Sequence, residues 1–494
     1  MAKAIENQRA AIIQGPPGTG KTTVYKEVIK KALKGALKLN DDEVLCYEVP
    51  HNAGVKEMLR DVVSIMKELG YDKREIPKMT RVYGSQFDFT GYEKLNSLVD
   101  QNVKIIITTE FQRIRSRNGH DKYHLLIDEA SKSRLHEAFI VHAYQLAKAI
   151  EEDEELEGSI SVIGDPMQAI VLPESYSMWP HLRHKRLILE GFLRGLLMHE
   201  GVISRDQRLD PLELTNLAYQ HLKGKWFEFL DVTYRLPSPT EKPISEGFYH
   251  GRLKAFQSAR DRLKDITLEP ISKVPDMDEV KEAAKIIEEA VTTERSIILV
   301  ETAGGGYEEY QEKHGILYDP VRAKWGIAFG LALSYMTLKE TYVLSPYTEQ
   351  SFYMKLECQR AWPRYSKEVL LDFTTVQKFL GLEAFNIVAV LGKEWYGKRR
   401  DKEDAYSTIY FKEPELFNVQ LSRHLGVLVI VGKLRKLYKQ AKKADQRYQT
   451  KKYKPIWVTI AQLFEMAGMD VEKSSKLPAG YKSEGEGAIF IKLG

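Results

Sequence analysis

The chain has 494 residues. This is too long for one hydrophobic core, because single cores stop growing near about 250 to 300 residues, so two or three domains are expected. Apolar residues make up 43% and charged residues 29%, which excludes a wholly disordered chain. The net charge of +4 neither demands nor excludes a polyanionic partner.

Cysteine content and hydropathy indicate where in the cell the protein is expected. The chain has two cysteines, Cys46 and Cys358, and neither lies at the spacing of a zinc site or a disulfide framework. No secretory signal region precedes residue 15, and no run of about 18 apolar residues occurs. We therefore expect an intracellular, soluble protein, cytoplasmic or nuclear, with no membrane partner.

Strand-length apolar runs alternate with amphipathic stretches of helix length over residues 1–175. The runs include AAIIQG, EVLCYEVP, VKIIITT and SISVIGD. Such alternation predicts an α/β domain, with a parallel sheet covered by helices on both faces. Residues 176–225 are mainly helical in pattern and are predicted to form a connector or an insertion.

A second series of strand-length runs, from SIILVET to LGVLVIVG, predicts a second α/β domain over residues 226–440. Residues 441–494 are predicted to be a basic segment and a weakly patterned tail. Residues 433–454 hold ten Lys or Arg and a single acid. This stretch either adds salt-dependent affinity for nucleic acid or is simply the charged face of a helix.

The stretch GPPGTGKT fits the pattern GxxxxGK[ST] between an apolar strand and a helix. Its glycines let backbone N–H groups surround phosphates, Lys21 reaches the β and γ oxygens, and the Thr22 hydroxyl completes a Mg²⁺ shell. The sequence therefore predicts a nucleoside triphosphate site, formed by Gly15, Pro16, Pro17, Gly18, Thr19, Gly20, Lys21, Thr22 and Thr23.

Two further strand ends supply the polar groups that hydrolysis requires. In HLLIDEAS, an apolar strand is followed by Asp128 and Glu129. Asp128 is predicted to hold Mg²⁺, and Glu129 is predicted to polarise the attacking water. In SVIGDPMQ, the predicted strand is followed by two polar residues, Asp165 and Gln168. Because the carboxyl ends of adjacent parallel strands line one crevice, Gln168 is placed to sense the γ-phosphate.

These three motifs, in this order and spacing, resemble those of a superfamily 1 helicase. Four later segments resemble the 1B branch that contains the nonsense-mediated mRNA decay helicase, so that the likeness spans roughly residues 6–432. They are LDVTYRLPSPTEKPISEGFYHGRL, VLSPYTEQ, TTVQKFLGLEAFNIV and NVQLSRHLGVLVIVG.

The resemblance implies two tandem RecA-like domains with ATP in the cleft between them. It also implies ATP-driven movement along single-stranded DNA or RNA, 5′ to 3′, and unwinding of a duplex that carries a single-stranded tail. Arg235 and Arg423 would reach the γ-phosphate from the second domain. An arginine finger accelerates related phosphoryl transfers by roughly 10³ to 10⁵.

The same resemblance implies roles for other residues. Tyr234 would stack on adenine and Glu383 would hydrogen-bond the ribose, while Gln350 lies in a matching motif without a clear role. His51 and Asn52 could equally cap a helix. The positions that would contact a nucleic-acid backbone are Pro50, His51, Asn52, Thr108, Thr109 and Thr375.

The chain departs from the family pattern in three ways. Gln8 lies about one helix too late to be the adenine-reading glutamine, which leaves open a fragment of a larger protein or complex, or a relaxed choice of nucleotide. Leu380 replaces the usual glutamine, and HLG after Arg423 replaces a second basic residue, so coupling of hydrolysis to movement is expected to differ. The Cys/His domain and large first-domain insertions of the decay helicase are absent from the sequence.

Two alternative functions remain open. GPPGTGKT also occurs in assembly ATPases of the AAA+ type, which take their arginine from a neighbouring subunit. An ATP-gated clamp would bind a strand, or remodel its complexes, without unwinding a duplex.

Overall fold

The computed structural model describes residues 10–35, 43–50, 52–83, 103–109, 122–131, 159–168, 188–207, 209–302, 318–394, 409–448, 450–473 and 477–493. The chain divides into two compact units, the first extending to Leu230 and the second beginning at Asp231. Two short segments inside the first stretch, Pro17–Thr19 and residues 167–168, belong by their contacts to the second unit.

The first unit contains a seven-stranded sheet in the order β3-β4-β2-β5-β6-β1-β7. Every neighbouring pair of its strands is parallel. The carboxyl ends of these strands therefore lie along one edge. The strands are β1 (Ala10–Gln14), β2 (Glu43–Val49), β3 (Thr80–Tyr83), β4 (Ile105–Thr109), β5 (Lys122–Ile127), β6 (Ser159–Gly164) and β7 (Phe227–Phe229).

Helices cover both faces of this sheet, as predicted. Alternate residues of β2 point to opposite faces, so Leu45 joins one buried apolar cluster and Val44 joins another. The second cluster includes helices from residues 176–225, whose buried leucines recur every fourth residue. The helices of the unit are α1 (Lys21–Leu33), α2 (Asn52–Glu68), α3 (Ile76–Met79), α4 (Ile188–His199) and α5 (Pro211–His221).

The second unit contains another seven-stranded sheet, in the order β12-β11-β13-β14-β10-β16-β15. Its pairs are parallel except for the antiparallel β15–β16 pair at one edge. A parallel two-stranded sheet, β8–β9, precedes it. The strands are β8 (Val232–Thr233), β9 (Lys254–Ala255), β10 (Ile297–Thr302), β11 (Thr341–Ser345), β12 (Leu371–Thr375), β13 (Ala384–Val390), β14 (His424–Gly432), β15 (Lys482–Glu484) and β16 (Ala488–Leu493).

The strand β16 differs from what the sequence predicts, because no strand is expected after Gly432. It pairs with β10 in register from Ala488 opposite Ile297 to Leu493 opposite Thr302. Its six residues AIFIKL are too short an apolar run to identify a strand by periodicity alone. The tail of the chain therefore supplies an interior strand of the second sheet.

The helices of the second unit surround a largely apolar core. The helix α9 (Pro320–Thr337) is buried on almost all sides. A Cβ at Gly326 would lie 2.7 Å from Val390, so glycine permits close packing on the sheet. None of the helices in the described ranges is both long and apolar enough to cross a membrane. The helices are α6 (Glu241–Phe248), α7 (Ala259–Leu263), α8 (Asp278–Thr292), α9 (Pro320–Thr337), α10 (Thr348–Ala361), α11 (Tyr365–Glu368), α12 (Ile409–Lys412), α13 (Pro414–Leu421), α14 (Leu434–Tyr448) and α15 (Lys454–Met466), with a 3₁₀ turn at Ile271–Lys273.

Gln350 has a structural position in this unit. Its amide is buried on α10, accepts a hydrogen bond of 2.7 Å from the N–H of Asp319 and donates one of 3.2 Å to the carbonyl of Asp319. Asp319 in turn caps α9, because its carboxylate accepts hydrogen bonds from the first backbone N–H groups of that helix. Gln350 therefore fixes the start of a core helix.

Candidate active site

The loop between β1 and α1 has the backbone of a phosphate cradle. Gly18 and Gly20 have φ values of +69° and +77°, a left-handed conformation that favours glycine. The helix α1 begins at Lys21, whose ammonium donates hydrogen bonds to the carbonyls of Gly15 at 2.6 Å and Pro16 at 3.3 Å. The predicted residues Thr22 and Thr23 lie in the first turn of α1. This geometry suits an anion at the helix N-terminus.

Asp128 follows β5 and is 6% exposed. Its carboxylate accepts a hydrogen bond of 2.6 Å from the Tyr47 hydroxyl and one of 2.7 Å from the N–H of Glu129. Burial, followed by the charge of Glu129, raises the pKa of Asp128 to about 6, while the Tyr47 hydrogen bond and the charge of Lys21 oppose the rise. A buried carboxylate of this kind is stabilised by a nearby cation.

The donor set of the first unit fits Mg²⁺. The hydroxyl of Thr22 and the carboxylate of Asp128 are hard oxygen donors, which this ion prefers. In the described part of the chain, no three His, Cys, Asp or Glu side chains converge as a metal site. Mg²⁺ is usually held by one or two carboxylates together with substrate phosphates, so one carboxylate and one hydroxyl are compatible with this ion.

Two tyrosines that the sequence does not single out support Asp128. Tyr25 lies one turn after Lys21 on α1, and its hydroxyl donates a 2.5 Å hydrogen bond to the carbonyl of Ile127. The rings of Tyr25 and Tyr47 meet edge to face, with centroids 5.1 Å apart. Both tyrosines are buried. In the sequence they look like ordinary core aromatics, and no spacing pattern distinguishes them.

The end of β6 is tied to its two neighbours. Asp165 is buried, accepts a hydrogen bond of 3.3 Å from the amide of Gln14 on β1, and donates its backbone N–H to the Ser131 hydroxyl at 3.1 Å. Ser131 belongs to the DEAS segment after β5. The strand ends that carry the three motifs are therefore neighbours at one edge of the sheet, as predicted.

In the second unit, Arg235 is held on two sides. Its Nε donates to a carboxylate oxygen of Glu383 at 2.7 Å, and its Nη1 donates to the carbonyl of Ser422 at 3.4 Å. Only 10% of the Arg235 side chain is exposed, against 48% for Glu383. The structure therefore brings together two residues to which the resemblance assigns separate roles.

The segment Pro17–Thr19 contacts the strand that precedes Arg235. The Thr233 hydroxyl donates to the Pro17 carbonyl at 2.8 Å, and the N–H of Tyr234 donates to the Gly18 carbonyl at 2.9 Å. A Cβ at Gly18 would lie 2.3 Å from the Cβ of Arg235, a separation that real atoms do not adopt. Glycine is therefore required at position 18 for close approach as well as for its positive φ.

Arg423 is buried, and its Nη2 donates a hydrogen bond of 3.0 Å to the side-chain carbonyl of Gln168. Next to it in the second unit, the Asn418 amide donates to the carbonyl of Met167 at 2.5 Å and to the Tyr249 hydroxyl at 2.8 Å. The structure thus brings together Arg423 and Gln168, which lie far apart in sequence.

His424 begins the segment HLG, which stands where the family pattern has a second basic residue after Arg423. It is fully buried, and its Nε2 lies 3.1 Å from the Thr240 hydroxyl. Burial lowers the pKa of His424 to about 3, and the charge of Arg235 adds to this effect. The imidazole is therefore neutral near pH 7 and supplies no second cation.

The ring of Tyr234 is 53% exposed and contacts Phe256, which is 62% exposed. The two ring centroids are 4.8 Å apart and the planes are inclined by 42°. Phe256 follows β9, and its N–H donates to the carbonyl of Thr233 on β8. The sequence singles out Tyr234 but gives no signal for Phe256, because their contact depends on the β8–β9 pairing.

Four of the residues expected to contact nucleic acid lie at the ends of β-strands or directly after one. Pro50 follows β2 and Asn52 begins α2, while His51 lies outside the described residues. Thr108 and Thr109 end β4, and the Thr108 hydroxyl donates to the Thr109 carbonyl at 3.1 Å. Thr375 ends β12 in the second unit. The three threonine side chains are buried.

Known protein families match most of the chain. Two family models, each described as an AAA domain, match residues 1–166 and residues 214–435. The DNA-binding protein SMUBP-2 of Rattus norvegicus is 26% identical over 336 residues, and that of Mesocricetus auratus is 25% identical over the same length. These matches cover 63% of this chain but only 31% and 30% of the two relatives.

Solved structures that align with this chain include two complexes with DNA. The complex of Arterivirus nonstructural protein 10 (helicase) with DNA has a TM-score of 0.36 and 12% identity, covering 88% of this chain and 64% of that one. The DUF1998 helicase MrfA bound to DNA and AMPPNP has a TM-score of 0.40 and 10% identity, covering 90% and 49%. The paired family models and the SMUBP-2 relatives agree with the order of motifs, and the predicted class, α/β with two tandem RecA-like domains, is confirmed. The two AAA-domain matches and the similarity to SMUBP-2 support the resemblance to superfamily 1 helicases that the motifs indicate.

Proposed function

We propose that this protein hydrolyses ATP to move along single-stranded DNA or RNA, 5′ to 3′, and unwinds duplexes that carry a single-stranded tail. The observation that carries the proposal is the 3.0 Å hydrogen bond from Arg423 to Gln168. A guanidinium beside a polar amide suits an oxygen that gains negative charge, which is what the transferred γ-phosphoryl becomes.

Residues of the first unit bind the phosphates. Lys21 leaves its carbonyl partners for the β and γ oxygens of ATP, and the backbone N–H groups of the loop from Gly15 to Thr23 surround them. Thr22 and Asp128 would hold Mg²⁺, which would neutralise the phosphate charge. Glu129 orients and polarises the attacking water. Intracellular ATP is then the expected substrate, in the cytoplasm or a nucleus.

Residues of the second unit complete the chemistry. Arg235 and Arg423 stabilise the negative charge that develops on the γ-phosphoryl, and Gln168 senses whether that group is present. Tyr234 stacks on the base. Glu383 hydrogen-bonds the ribose when it is not paired with Arg235, so nucleotide binding and the release of Arg235 are linked.

The nucleic-acid strand contacts backbone groups and small polar side chains at the ends of β-strands. Such contacts bind phosphates without reading bases, so the protein moves along any sequence. The relatives are named DNA-binding proteins, which supports a nucleic-acid partner. The residues proposed to contact the strand are Pro50, His51, Asn52, Thr108, Thr109 and Thr375.

ATPase assays with matched single-stranded DNA and RNA test the nucleotide half of the proposal. Lys21→Ala abolishes stimulated hydrolysis and leaves strand binding intact. Lys26→Ala is the matched control, because Lys26 is on the same helix and pairs with Asp61 at 2.8 Å. A Lys21→Ala protein that hydrolyses ATP at the parental rate contradicts the assignment.

Strand displacement separates a helicase from a clamp. Duplexes with 5′ or 3′ tails, in DNA and in RNA, are incubated with protein and ATP, and displacement from the 5′-tailed substrates is expected. Stimulated hydrolysis without displacement from any tail supports the clamp.

A mixing experiment addresses the AAA+ alternative. Lys21→Ala and Arg423→Ala proteins are mixed, and no activity returns if each active site uses its own arginine. Restored activity requires an arginine from a neighbouring subunit and contradicts the proposal.

A further inference from the structure

The helix α14 separates apolar from cationic side chains. Its buried face consists of Leu434, Leu437, Tyr438, Ala441 and Ala444. The opposite side carries four cations at every third or fourth position, which places them in one line along the helix. This basic row consists of Lys436, Lys439, Lys443 and Arg447, and all four side chains are exposed.

Two acidic side chains near the row have partners outside it, and a third lies beside its first cation. Asp445, the only acid in residues 433–454, accepts hydrogen bonds from the N–H of Tyr453 and the indole of Trp457, both at 2.9 Å. Glu472 accepts from the Tyr438 hydroxyl at 2.8 Å and pairs with Lys442. Glu394 lies 3.8 Å from Lys436, at the start of the row.

Positive charge continues beyond the end of α14. Lys451 and Lys452 are exposed in the turn that leads into α15, and Lys454 is exposed at the start of that helix. The local excess of positive charge therefore extends past the row, although the whole chain carries only +4. Clustering of cations on one face is the electrostatic footprint of a polyanion site.

An exposed aromatic ring stands at the end of the row. Tyr448 is 47% exposed, and the guanidinium of Arg447 lies 5.6 Å from the centre of its ring. Surfaces that bind single-stranded nucleic acid combine cations that follow the backbone with aromatic rings on which bases stack. An acidic protein would use the cations but would have no specific need for the ring.

The length of the row matches a short stretch of strand. Lys436 and Arg447 are eleven residues apart, which corresponds to about 16 Å at a rise of about 1.5 Å per residue. At about 3.4 Å per stacked nucleotide, this spans on the order of five nucleotides. Neighbouring cations of the row lie about one helical turn from each other, so several phosphates can be contacted together.

We propose that the basic row and Tyr448 bind the phosphodiester backbone and a base of single-stranded nucleic acid. This surface is additional to the strand-end residues of the proposed function and rests on that function only for the class of partner. It lies on a single helix of the second unit. It provides affinity without reading sequence.

The test compares a triple variant with a charge-matched control. Lys439→Gln, Lys443→Gln and Arg447→Gln are combined in the full chain, and the control combines Arg360→Gln, Arg364→Gln and Lys367→Gln, three exposed cations at α10 and α11. Fluorescence anisotropy measures the binding of a 20-nucleotide DNA and a matched RNA at several salt concentrations. Each phosphate contact contributes about 0.7 to the slope of log affinity against log salt for a single strand.

The triple variant is expected to lower that slope by about 2, with the control close to the parental value. An unchanged slope, or an equal fall in the control, overturns the proposal, because the second result reports only net charge. Polyglutamate is the competitor probe. If it displaces the oligonucleotide from the parental protein as well as unlabelled DNA does at equal charge, the surface is a general anion site and the proposal is wrong.

Tyr448→Ala isolates the stacking contribution. It should weaken binding of the oligonucleotide about fivefold or more, leave the salt slope unchanged, and have no effect on an abasic strand. An equal loss with the abasic strand contradicts stacking. ATPase activity measured without nucleic acid should be parental in these variants. If the parental protein binds the strand but hydrolyses no ATP, the proposed function fails while this surface stands.

Discussion

The hydroxyl of Tyr47 donates a hydrogen bond of 2.6 Å to the carboxylate of Asp128 inside the first unit. The donor stabilises the ionised form of Asp128 and so limits the rise in its pKa that burial causes. The proposed metal-binding carboxylate is therefore kept ionisable by a residue from a different strand.

Tyr47→Phe removes this donor with little change in volume. Hydrogen bonds to charged groups contribute about 1.5 to 3 kcal/mol, so the pKa of Asp128 should rise by roughly one to two units above its value of about 6. The acidic limb of the ATPase pH profile should move upward, and activity lost at pH 7 should return near pH 9.

Tyr25→Phe is the control for this prediction. The Tyr25 hydroxyl donates to the backbone carbonyl of Ile127 and not to a carboxylate. The profile of Tyr25→Phe should keep its parental midpoint. If Tyr47→Phe lowers the rate by the same factor at every pH, the role of Tyr47 is packing alone.

Asp128→Asn should stabilise the nucleotide-free protein while it abolishes hydrolysis. Because the folded pKa of Asp128 lies above the ordinary value of 3.8, the folded state retains a proton that the unfolded state has lost between about pH 4 and pH 6. Stability therefore falls as the pH rises through this window. Above pH 6 the buried charge costs up to about 3 kcal/mol.

Thermal unfolding at several pH values measures this effect. The melting temperature of Asp128→Asn should exceed the parental value at pH 7.5, and the difference should shrink toward zero near pH 4. A difference that does not depend on pH would mean that the charge of Asp128 is not its cause.

Motif spacing in the sequence predicts the phosphate loop and Asp128 as candidate site residues. It does not predict the buried residues that hydrogen-bond to them. The phosphate loop and Asp128 are recognisable because their chemistry demands particular residues beside strand ends. Tyr47 is not, because a buried aromatic in a strand looks the same whether it packs or donates a hydrogen bond. The neutrality of His424 also depends on burial, which one sequence does not report.

Gly18→Ala and Gly20→Ala should differ in severity. Both glycines have positive φ, and a side chain there costs about 1 to 2 kcal/mol. A Cβ at Gly18 would also clash with the Cβ of Arg235, whereas the nearest atom to one at Gly20 is 3.6 Å away. Urea unfolding and ATPase assays should show greater losses for Gly18→Ala, and equal losses would argue against the close approach at Arg235.

Phe256→Ala should weaken nucleotide binding without choosing between bases. Its ring supports that of Tyr234, and stacking accepts any base because every base has a flat π face. The KM values for ATP and GTP should both rise about fivefold with kcat unchanged. Phe352→Ala is the control, since Phe352 is 60% exposed on α10. A rise in KM for only one nucleotide would contradict recognition by stacking.

The position of β16 has a consequence for synthesis on the ribosome. This strand lies between β10 and β15, and its partner β10 is translated almost two hundred residues earlier. Until β16 emerges, one side of β10 has unpaired backbone groups and is open to pairing with another nascent chain. In the first unit, every strand that the structure describes precedes Asp231, so its sheet can form before the end of the chain is made. Premature termination before Ala488 should therefore yield a folded first unit attached to an aggregation-prone second one.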